Sequence, residues 1–183
     1  MRLLYGDRSE HLGVVAAAIG RDADVVDLCC GDCALAPFVL AHGCTYRGYD
    51  VNRTFVEHGR RLGLETYVLD VRAEDLPAGD VLSLVGSLYQ FIPDDRRLVD
   101  RMLHSAKHAV VVSEPVVNWQ SSKLPVARSL AQRLTRVDGR AFPYRHTEQT
   151  LRDLLAGLPK DAVALRRAGR DLVIAIDSAR AGS

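Results

Sequence analysis

The sequence predicts an α/β domain: a doubly wound, mostly parallel, seven-stranded sheet with helices on both faces and a C-terminal antiparallel hairpin. Short apolar runs alternate with longer segments whose apolar residues recur three and four positions apart, which is typical of strands alternating with helices. The first run is apolar almost throughout, as expected for a strand buried on both faces. The last two runs leave no room for a helical crossover between them, so at least one edge strand should run antiparallel.

The bulk properties indicate a single globular domain. At 183 residues the chain suits one domain, residues 1–183, with a substantial core. Hydrophobic residues make up 48% of it and charged residues 26%, which is ordinary for a globular protein. The net charge of +1 gives no general attraction to nucleic acid or to an anionic membrane, so we expect neither as a partner.

The beginning of the chain has no targeting pattern. Charged residues interrupt it between Arg2 and Glu10, and no long apolar region follows. No stretch of about 18 apolar residues could span a bilayer. We therefore expect a cytoplasmic protein.

The elements can be justified in order along the chain. Residues 1–22 are predicted to hold one helix, because Leu12, Ala16 and Ile19 recur at helical spacing. Gly43 closes a later helix. The predicted elements are helix 9–19, strand 25–29, helix 34–42, strand 46–50, helix 53–62, strand 66–69, strand 81–85, helix 94–105, strand 109–113, helix 121–134, helix 147–155, strand 162–166 and strand 171–176.

Other boundaries follow from proline, threonine and glycine. Pro93 suits the first turn of the helix that follows the fourth strand. Thr147 caps the last predicted helix, which Gly157 and Pro159 end. The last residues, 178–183, are predicted to be frayed.

One edge of the predicted sheet collects the polar residues. Ligands of open parallel sheets bind beyond the carboxyl ends of the strands. The residues that follow or end the strands there are Cys29, Cys30, Gly31, Asp50, Asp70, Ser87, Leu88, Tyr89 and Glu114.

The turn after the first strand reads Asp27-Leu28-Cys29-Cys30-Gly31-Asp32-Cys33. Asp50 follows 23 positions after Asp27, at the end of the second strand. A strand, a tight turn and a helix with an acid about 20 positions further on can bind the adenosine part of a nucleotide-like cofactor. The turn brings backbone amides near the ligand, and the second acid accepts hydrogen bonds from ribose hydroxyls.

These motifs resemble the class I (Rossmann-like) S-adenosylmethionine-dependent methyltransferase family. The family's first motif is typically an acid followed by three alternating glycines. Here the acid Asp27 and the central Gly31 are present, and Cys29 and Cys33 replace the outer glycines. The resemblance covers residues 25–114 by motif and the closing hairpin by architecture. It implies a methyltransferase with S-adenosyl-L-methionine as cofactor and S-adenosyl-L-homocysteine as product.

The resemblance also implies which residues bind the methionine part of the cofactor. Asp27 would hold its ammonium group, directly or through water. Gly31, with Cys29 in the same loop, would let the backbone approach. Ser87 and Leu88, after the fourth strand, would offer backbone groups.

The adenosine part would lie further along the same edge. Asp50, with Val51 after it, would take the ribose diol. Asp70, with the amide of Val71, would read the amino edge of the adenine.

The four cysteines fall within 16 residues and need a separate interpretation. Cys30 and Cys33 have the spacing of a redox or metal pair. A structural zinc site normally needs four ligands, and a second pair is missing, so we expect no metal and interpret the cysteines as reduced thiols. At the two altered glycine positions, Cys29 is tolerable if it keeps ordinary β angles, and Cys33 is tolerable if its side chain turns away from the methionine chain.

Three residues are candidates for catalysis. Tyr89 would contact the methyl acceptor, with a core aromatic as the alternative. Glu114 would orient or deprotonate the acceptor, or else cap the segment around Asn118. His146 is a candidate general base or a structural histidine.

The acceptor is expected to be a small molecule. The segment 86–93 lacks the Asn/Asp-Pro-Pro-Tyr/Phe signature that the family uses for exocyclic amines of bases. No sizeable inserted cap is present, so the pocket would be built from short segments. Weaker candidates for its lining are Tyr5, Trp119, Arg145 and a lid at 142–146.

Three alternatives stay open at this point. A cofactor-binding module without catalysis would act through association, with helix 121–134 as an interface for a partner or for a second copy of the chain. RNA methylation is motivated by a set of arginines, Arg133, Arg136, Arg140 and Arg145. A nicotinamide enzyme is least favoured, because the third fingerprint glycine is missing.

Overall fold

A computed structural model describes residues 8–116 and 144–182. The strands are β1 Asp24–Leu28, β2 Thr45–Asp50, β3 Glu65–Val68, β4 Gly79–Val85, β5 Ala106–Pro115, β6 Val163–Ala168 and β7 Asp171–Asp177. The helices are α1 Arg8–Ile19, α2 Ala36–Leu40, α3 Arg53–Arg61, α4 Asp95–Ser105, α5 Glu148–Leu154 and α6 Ser178–Ala181. Two 3-10 turns cover Leu88–Phe91 and Lys160–Ala162.

The seven strands form one sheet in the order β3-β2-β1-β4-β5-β7-β6. Strands β1 to β5 run parallel, and β7 pairs antiparallel with both β5 and β6. The predicted fold class is therefore confirmed. Strand order reverses at β1, whose neighbours are β2 and β4, and this is the point where open α/β sheets bind their ligands.

The core has an apolar layer on each face of the sheet. On one face, Val25 and Val111 pack with the residues that α1 contributes, such as Val15. On the other face, Val26 and Val110 belong to the layer that α4 and α5 cover. Alternating residues of β1 and β5 thus serve opposite layers, which explains why consecutive positions such as Val25 and Val26 are both apolar.

Two strands are longer than their apolar runs. β5 spans Ala106–Pro115 instead of 109–113, and β4 begins at Gly79 instead of Val81. Exposed Lys107 and His108 lie inside β5 at a register shift, because Ala106 pairs with Gly79 of β4 and the next pair joins Ala109 to Val81. At its other end, β5 continues through Glu114 and Pro115, which pair with Leu172 and Asp171 of β7.

Ser178–Ala181 form a short helix, α6, where the sequence predicts a frayed tail. The side chain of Asp177 accepts hydrogen bonds from the amides of Ala179 and Arg180, at 3.0 and 3.2 Å. An acid in this position satisfies amides that a helix start leaves without partners. A cap directly after β7 therefore continues the chain into α6.

Helix α5 begins where its sequence predicts. Thr147 accepts a hydrogen bond from the Thr150 amide at 3.1 Å, and the Thr150 hydroxyl accepts one from the Thr147 amide at 2.9 Å. These reciprocal bonds form a capping box that fixes the first turn. The predicted helix 121–134 lies outside the described residues.

Candidate functional site

Four neighbouring parallel strands bring the predicted cofactor residues to one edge of the sheet. In spatial order, Asp70 follows β3, Asp50 ends β2, Asp27 lies one residue before the end of β1, and Ser87 follows β4. Because these strands are parallel, their carboxyl ends share that edge. The order of the strands in the sheet differs from their order in the chain. The edge therefore brings together Asp27 and Ser87, which are 60 positions apart in the sequence.

The turn after β1 is held in left-handed backbone conformations. The φ angles are +54° at Cys29, +52° at Gly31 and +56° at Cys33. Cys29 therefore does not meet the condition of ordinary β angles. A non-glycine residue in this region costs about 1–2 kcal/mol, so the turn keeps the backbone shape for which glycine is preferred in spite of its cysteines.

Asp27 is buried and held by two hydroxyl groups. Its Oδ1 accepts a hydrogen bond from Ser83 at 2.8 Å, and its Oδ2 accepts one from Tyr46 at 2.9 Å. Burial raises the pKa of Asp27 to about 6, with a smaller contribution from the charges of Asp50 and Asp32; the two hydroxyl groups act in the opposite direction. The carboxylate therefore favours any cation that comes close to it.

Asp50 is oriented by two backbone amides. The Gly31 amide donates to its Oδ2 at 3.0 Å, and the Asn52 amide donates to its Oδ1 at 2.8 Å. Asn52 in turn caps α3. Val51, between the two, is 49% exposed and offers an apolar surface beside the carboxylate.

Asp70 begins a closed polar turn. Its Oδ1 accepts from the Arg72 amide at 2.9 Å, and its own amide donates to Oε1 of Glu74 at 2.8 Å. Val71 inside this turn is buried. The turn therefore presents Asp70 at the edge next to Asp50 while Val71 points into the core.

The segment after β4 is fixed by a buried acid from β5. Ser87 and Leu88 are buried, and the Leu88 amide donates to Oε2 of Glu114 at 2.9 Å. Glu114 is 0% exposed, and burial raises its pKa to about 8, although the amides of Leu88 and Tyr89 and the charge of Arg145 act in the opposite direction. Its Oε1 has no hydrogen-bond partner among the described residues.

Tyr89 and Arg145 meet next to this acid. The Arg145 guanidinium carbon lies 3.5 Å from the centre of the Tyr89 ring. Similarly, the guanidinium of Arg72 lies 4.6 Å from the centre of Phe91 and donates to the Gln90 carbonyl at 2.5 Å. Two cation–π contacts therefore hold the Leu88–Phe91 turn from different parts of the chain.

His146 is buried against the start of α4. Its Nε2 lies 3.5 Å from Oδ2 of Asp95, and its Nδ1 lies 3.4 Å from the Thr150 hydroxyl. Burial lowers the pKa of His146, and the charge of Asp95 partly opposes this. At 2% exposure, the imidazole packs between α4 and α5 and presents almost no surface to a ligand.

Sequence reasoning missed the partners of these residues. Tyr46 and Ser83 hold Asp27, and His11 of α1 lies 2.7 Å from the hydroxyl of Ser113, beside Glu114. Ser83 and Ser113 are polar residues within the otherwise apolar runs 81–85 and 109–113, and that pattern is a signal that could have drawn attention to them.

The cysteines are free thiols. Across residues 8–116 and 144–182, no group of three or more His, Cys, Asp or Glu side chains could hold a metal ion. In the same ranges, no helix is long and apolar enough to cross a membrane.

Several residues named in the sequence predictions lie outside the described residues. They are Tyr5, Asn118, Trp119, the arginines Arg133, Arg136 and Arg140, and residues 142–143 of the predicted lid.

Known structures share this arrangement. Magnesium protoporphyrin IX methyltransferase from Synechocystis PCC 6803, solved with bound SAH, superimposes with a TM-score of 0.65 over 93% of this chain and 84% of its own, at 15% identity. Human N-acetylserotonin methyltransferase in complex with SAM gives 0.67 over 92% of this chain and 52% of its own, at 18% identity. This is the class I methyltransferase fold.

A third methyltransferase structure shows the same core within a longer chain. An O-methyltransferase family protein from Burkholderia thailandensis gives a TM-score of 0.66 at 21% identity, over 92% of this chain and 55% of its own. The chain thus spans about half the length of this protein and of the human enzyme. No protein-family model matches the sequence, and no curated protein matches it.

Proposed function

We propose that the protein is an S-adenosylmethionine-dependent methyltransferase that acts on a small-molecule acceptor. The observation that carries the proposal is the row of Asp70, Asp50, Asp27 and Ser87 along the carboxyl edge of four adjacent parallel strands. The fold alone is compatible with many functions, whereas this row supplies the groups that an adenosine and a charged methionine chain require.

The charge of the site suits the methionine end of the cofactor. Asp27 uses one acceptor position on each oxygen for Tyr46 and Ser83, and a carboxylate has about four such positions. Nearby acids and burial already disfavour its negative charge, so a bound ammonium or sulfonium group would relieve that cost. Gly31 leaves room as well, because a Cβ built there meets nothing within 4 Å.

The adenosine end would lie on Asp50 and Val51. The Asp50 carboxylate would accept the ribose hydroxyls, since two backbone amides already fix its direction. Val51 would pack on the face of the adenine, and Asp70 would accept its amino group. When bound, the cofactor supplies an electrophilic methyl group on its sulfonium.

The acceptor would approach the Leu88–Phe91 turn. Tyr89 would contact it, with the ring held by Arg145. Glu114 is fully buried and accepts from the Leu88 amide, so we assign it the role of positioning this turn. His146 would stabilise the packing of α5 on α4 and would have no part in proton transfer.

Methyl transfer to a small molecule is supported by two observations. The segment after β4, Ser87-Leu88-Tyr89-Gln90, lacks the signature for exocyclic amines of bases, and the chain carries a net charge of only +1. Two of the similar structures are methyltransferases of magnesium protoporphyrin IX and of N-acetylserotonin.

Calorimetric titration tests the cofactor site directly. S-adenosylhomocysteine is titrated into the purified full-length protein, and saturable binding is expected. Absence of heat at millimolar ligand would overturn the proposal. Incubation with S-adenosylmethionine and a panel of hydroxylated and aminated small molecules, with detection of S-adenosylhomocysteine, then tests transfer.

A cofactor-binding module without catalysis is the second candidate. Cys29 and Cys33 have left-handed backbone angles, which cost free energy in a residue other than glycine. The loop therefore differs from the family pattern, and this difference favours the second candidate. Binding of S-adenosylhomocysteine with no transfer to any acceptor would support this candidate.

A further inference from the structure

Two thiols lie in contact at the ends of the turn after β1. The Cys30 and Cys33 sulfurs are 3.8 Å apart, and the Cys33 amide donates to the Cys30 carbonyl at 2.9 Å. A turn closed by this hydrogen bond keeps the Cα atoms of its ends within about 7 Å, close to the range that a disulfide spans. A sulfur–sulfur bond of about 2.05 Å therefore requires the two side chains to rotate toward each other by about 2 Å in total.

The backbone that carries these thiols is anchored to β2. The Cys30 amide donates to the Tyr49 carbonyl at 3.0 Å, and the next amide, that of Gly31, donates to Asp50 at 3.0 Å. The turn is thus held in the shape that keeps the sulfurs together. Any change of the Cys30-to-Cys33 turn reaches Asp50 through the Gly31 amide.

The surroundings select one thiol as the nucleophile. The hydrogen bond with Cys30 lowers the pKa of Cys33, and the hydroxyl of Tyr46 acts in the same direction, against burial. Burial raises the pKa of Cys29 to about 12, so that thiol stays protonated. Cys44 lies apart, with its sulfur 3.8 Å from the Gly20 carbonyl. Since the thiolate is the reactive form, Cys33 is expected to react first.

We propose that Cys30 and Cys33 are an oxidation site, at which hydrogen peroxide converts the two thiols into a reversible disulfide that reshapes the turn beside Asp50. Cys33 is only 2% exposed, so the oxidant has to be as small as hydrogen peroxide and not a bulky disulfide. The consequence for cofactor affinity rests on the proposed function; the disulfide itself does not.

The chemistry balances with one peroxide. The Cys33 thiolate attacks one peroxide oxygen, the O–O bond breaks, and the departing hydroxide takes up a proton to form water; Cys33 is then a sulfenic acid. The Cys30 sulfur attacks that sulfur, the S–O bond breaks, and the hydroxyl leaves with the Cys30 proton as a second water. Two thiols and one hydrogen peroxide therefore give one disulfide and two waters.

Mass spectrometry tests the disulfide without reference to the cofactor. Full-length protein is treated with hydrogen peroxide, alkylated and digested. We expect loss of about 2 Da in the peptide that contains both cysteines, reversed by dithiothreitol. Cys44→Ser is the matched control and should keep the loss, whereas Cys33→Ser and Cys30→Ser should abolish it. Absence of the loss in the wild type, or a bond that involves Cys29 or Cys44, would overturn the proposal.

Calorimetry with S-adenosylhomocysteine tests the consequence. Oxidised protein should bind about ten-fold more weakly than reduced protein, the effect of losing one or two hydrogen bonds at the turn, and dithiothreitol should restore the affinity. Equal affinity in both forms would overturn the coupling to the cofactor loop. If the reduced protein binds no S-adenosylhomocysteine, the proposed function fails while the disulfide result stands.

Discussion

The amide nitrogen of Gly31 lies 3.0 Å from Oδ2 of Asp50. This hydrogen bond joins the turn after β1 to the last residue of β2, two segments that the sequence separates by 19 positions. The Asn52 amide holds the other oxygen of the same carboxylate at 2.8 Å. Asp50 is therefore oriented by two backbone amides, and a ligand that binds it does not have to order it first.

Replacing Asp50 tests its assignment to the ribose. Asp50→Ala should weaken the affinity for S-adenosylhomocysteine by about ten-fold or more, because one or two charge-assisted hydrogen bonds are lost. Isothermal titration measures this. Asp161→Ala, which removes an exposed acid before β6, is the control and should leave the affinity unchanged. An equal affinity of Asp50→Ala and wild type would remove the ribose assignment.

Replacing Gly31 and Gly13 with alanine should change the free energy of unfolding in opposite directions, although both positions have free space for a side chain. A Cβ meets nothing within 4 Å at either Gly31 or Gly13, but Gly31 has a φ of +52° and Gly13 lies inside α1. Gly31→Ala should lower the free energy of unfolding by about 1 kcal/mol, since the left-handed backbone conformation is unfavourable for alanine. Gly13→Ala should raise it by about 0.5–1 kcal/mol, the gain of alanine over glycine in a helix. Urea denaturation of both variants decides this. Destabilisation by both would show that the space around these positions, and not the backbone angle, sets the outcome.

The fold and the row of acids follow from the sequence because they depend on local patterns. An uninterrupted apolar run predicts a buried strand wherever it occurs, and the carboxyl ends of parallel strands share an edge, so Asp27, Asp50 and Asp70 could be grouped without coordinates. Strand β5 exceeded its prediction because it pairs with β4 from Ala106 onward and with β7 as far as Pro115, and the pattern of a single strand does not contain this pairing.

Contacts across the sheet could not be predicted in this way. Tyr46 and Ser83 reach Asp27 because the register of β1 places it between Gly48 and Ser83, and a shift by one residue would turn it to the other face. Glu114 meets the Leu88 amide over 26 positions for the same reason. The left-handed backbone angle of Cys29 could not be predicted either, because a cysteine in the sequence does not indicate a positive φ angle.

Glu114 should make the free energy of unfolding depend on pH between 4.5 and about 8. Burial raises its pKa from 4.5 to about 8, so the folded protein retains a proton that the unfolded chain loses across this window. The free energy of unfolding should therefore fall as pH rises through it, by at most about 1.4 kcal/mol per pH unit. Glu114→Gln cannot lose this proton, and its amide oxygen can still accept from Leu88. The difference in unfolding free energy between the two proteins, measured by urea denaturation from about pH 6.5 to pH 8, should change with pH; parallel curves would contradict the raised pKa.

His146 should make the free energy of unfolding fall as pH decreases below 6.5, which is the opposite direction to the effect of Glu114. Burial lowers its pKa below 6.5, so the unfolded chain takes up a proton that the folded protein resists as the medium becomes acidic. The stability that this histidine contributes is present above pH 6.5 and is lost as pH falls through its lowered pKa. His146→Gln should lose less stability on acidification than the wild type, and the comparison cancels the contribution of Asp27, which both proteins share. His104→Gln, at an exposed position on α4, controls for removal of a histidine. If acidification destabilises His146→Gln and wild type equally in urea denaturation, the imidazole between α4 and α5 is not the group that resists protonation.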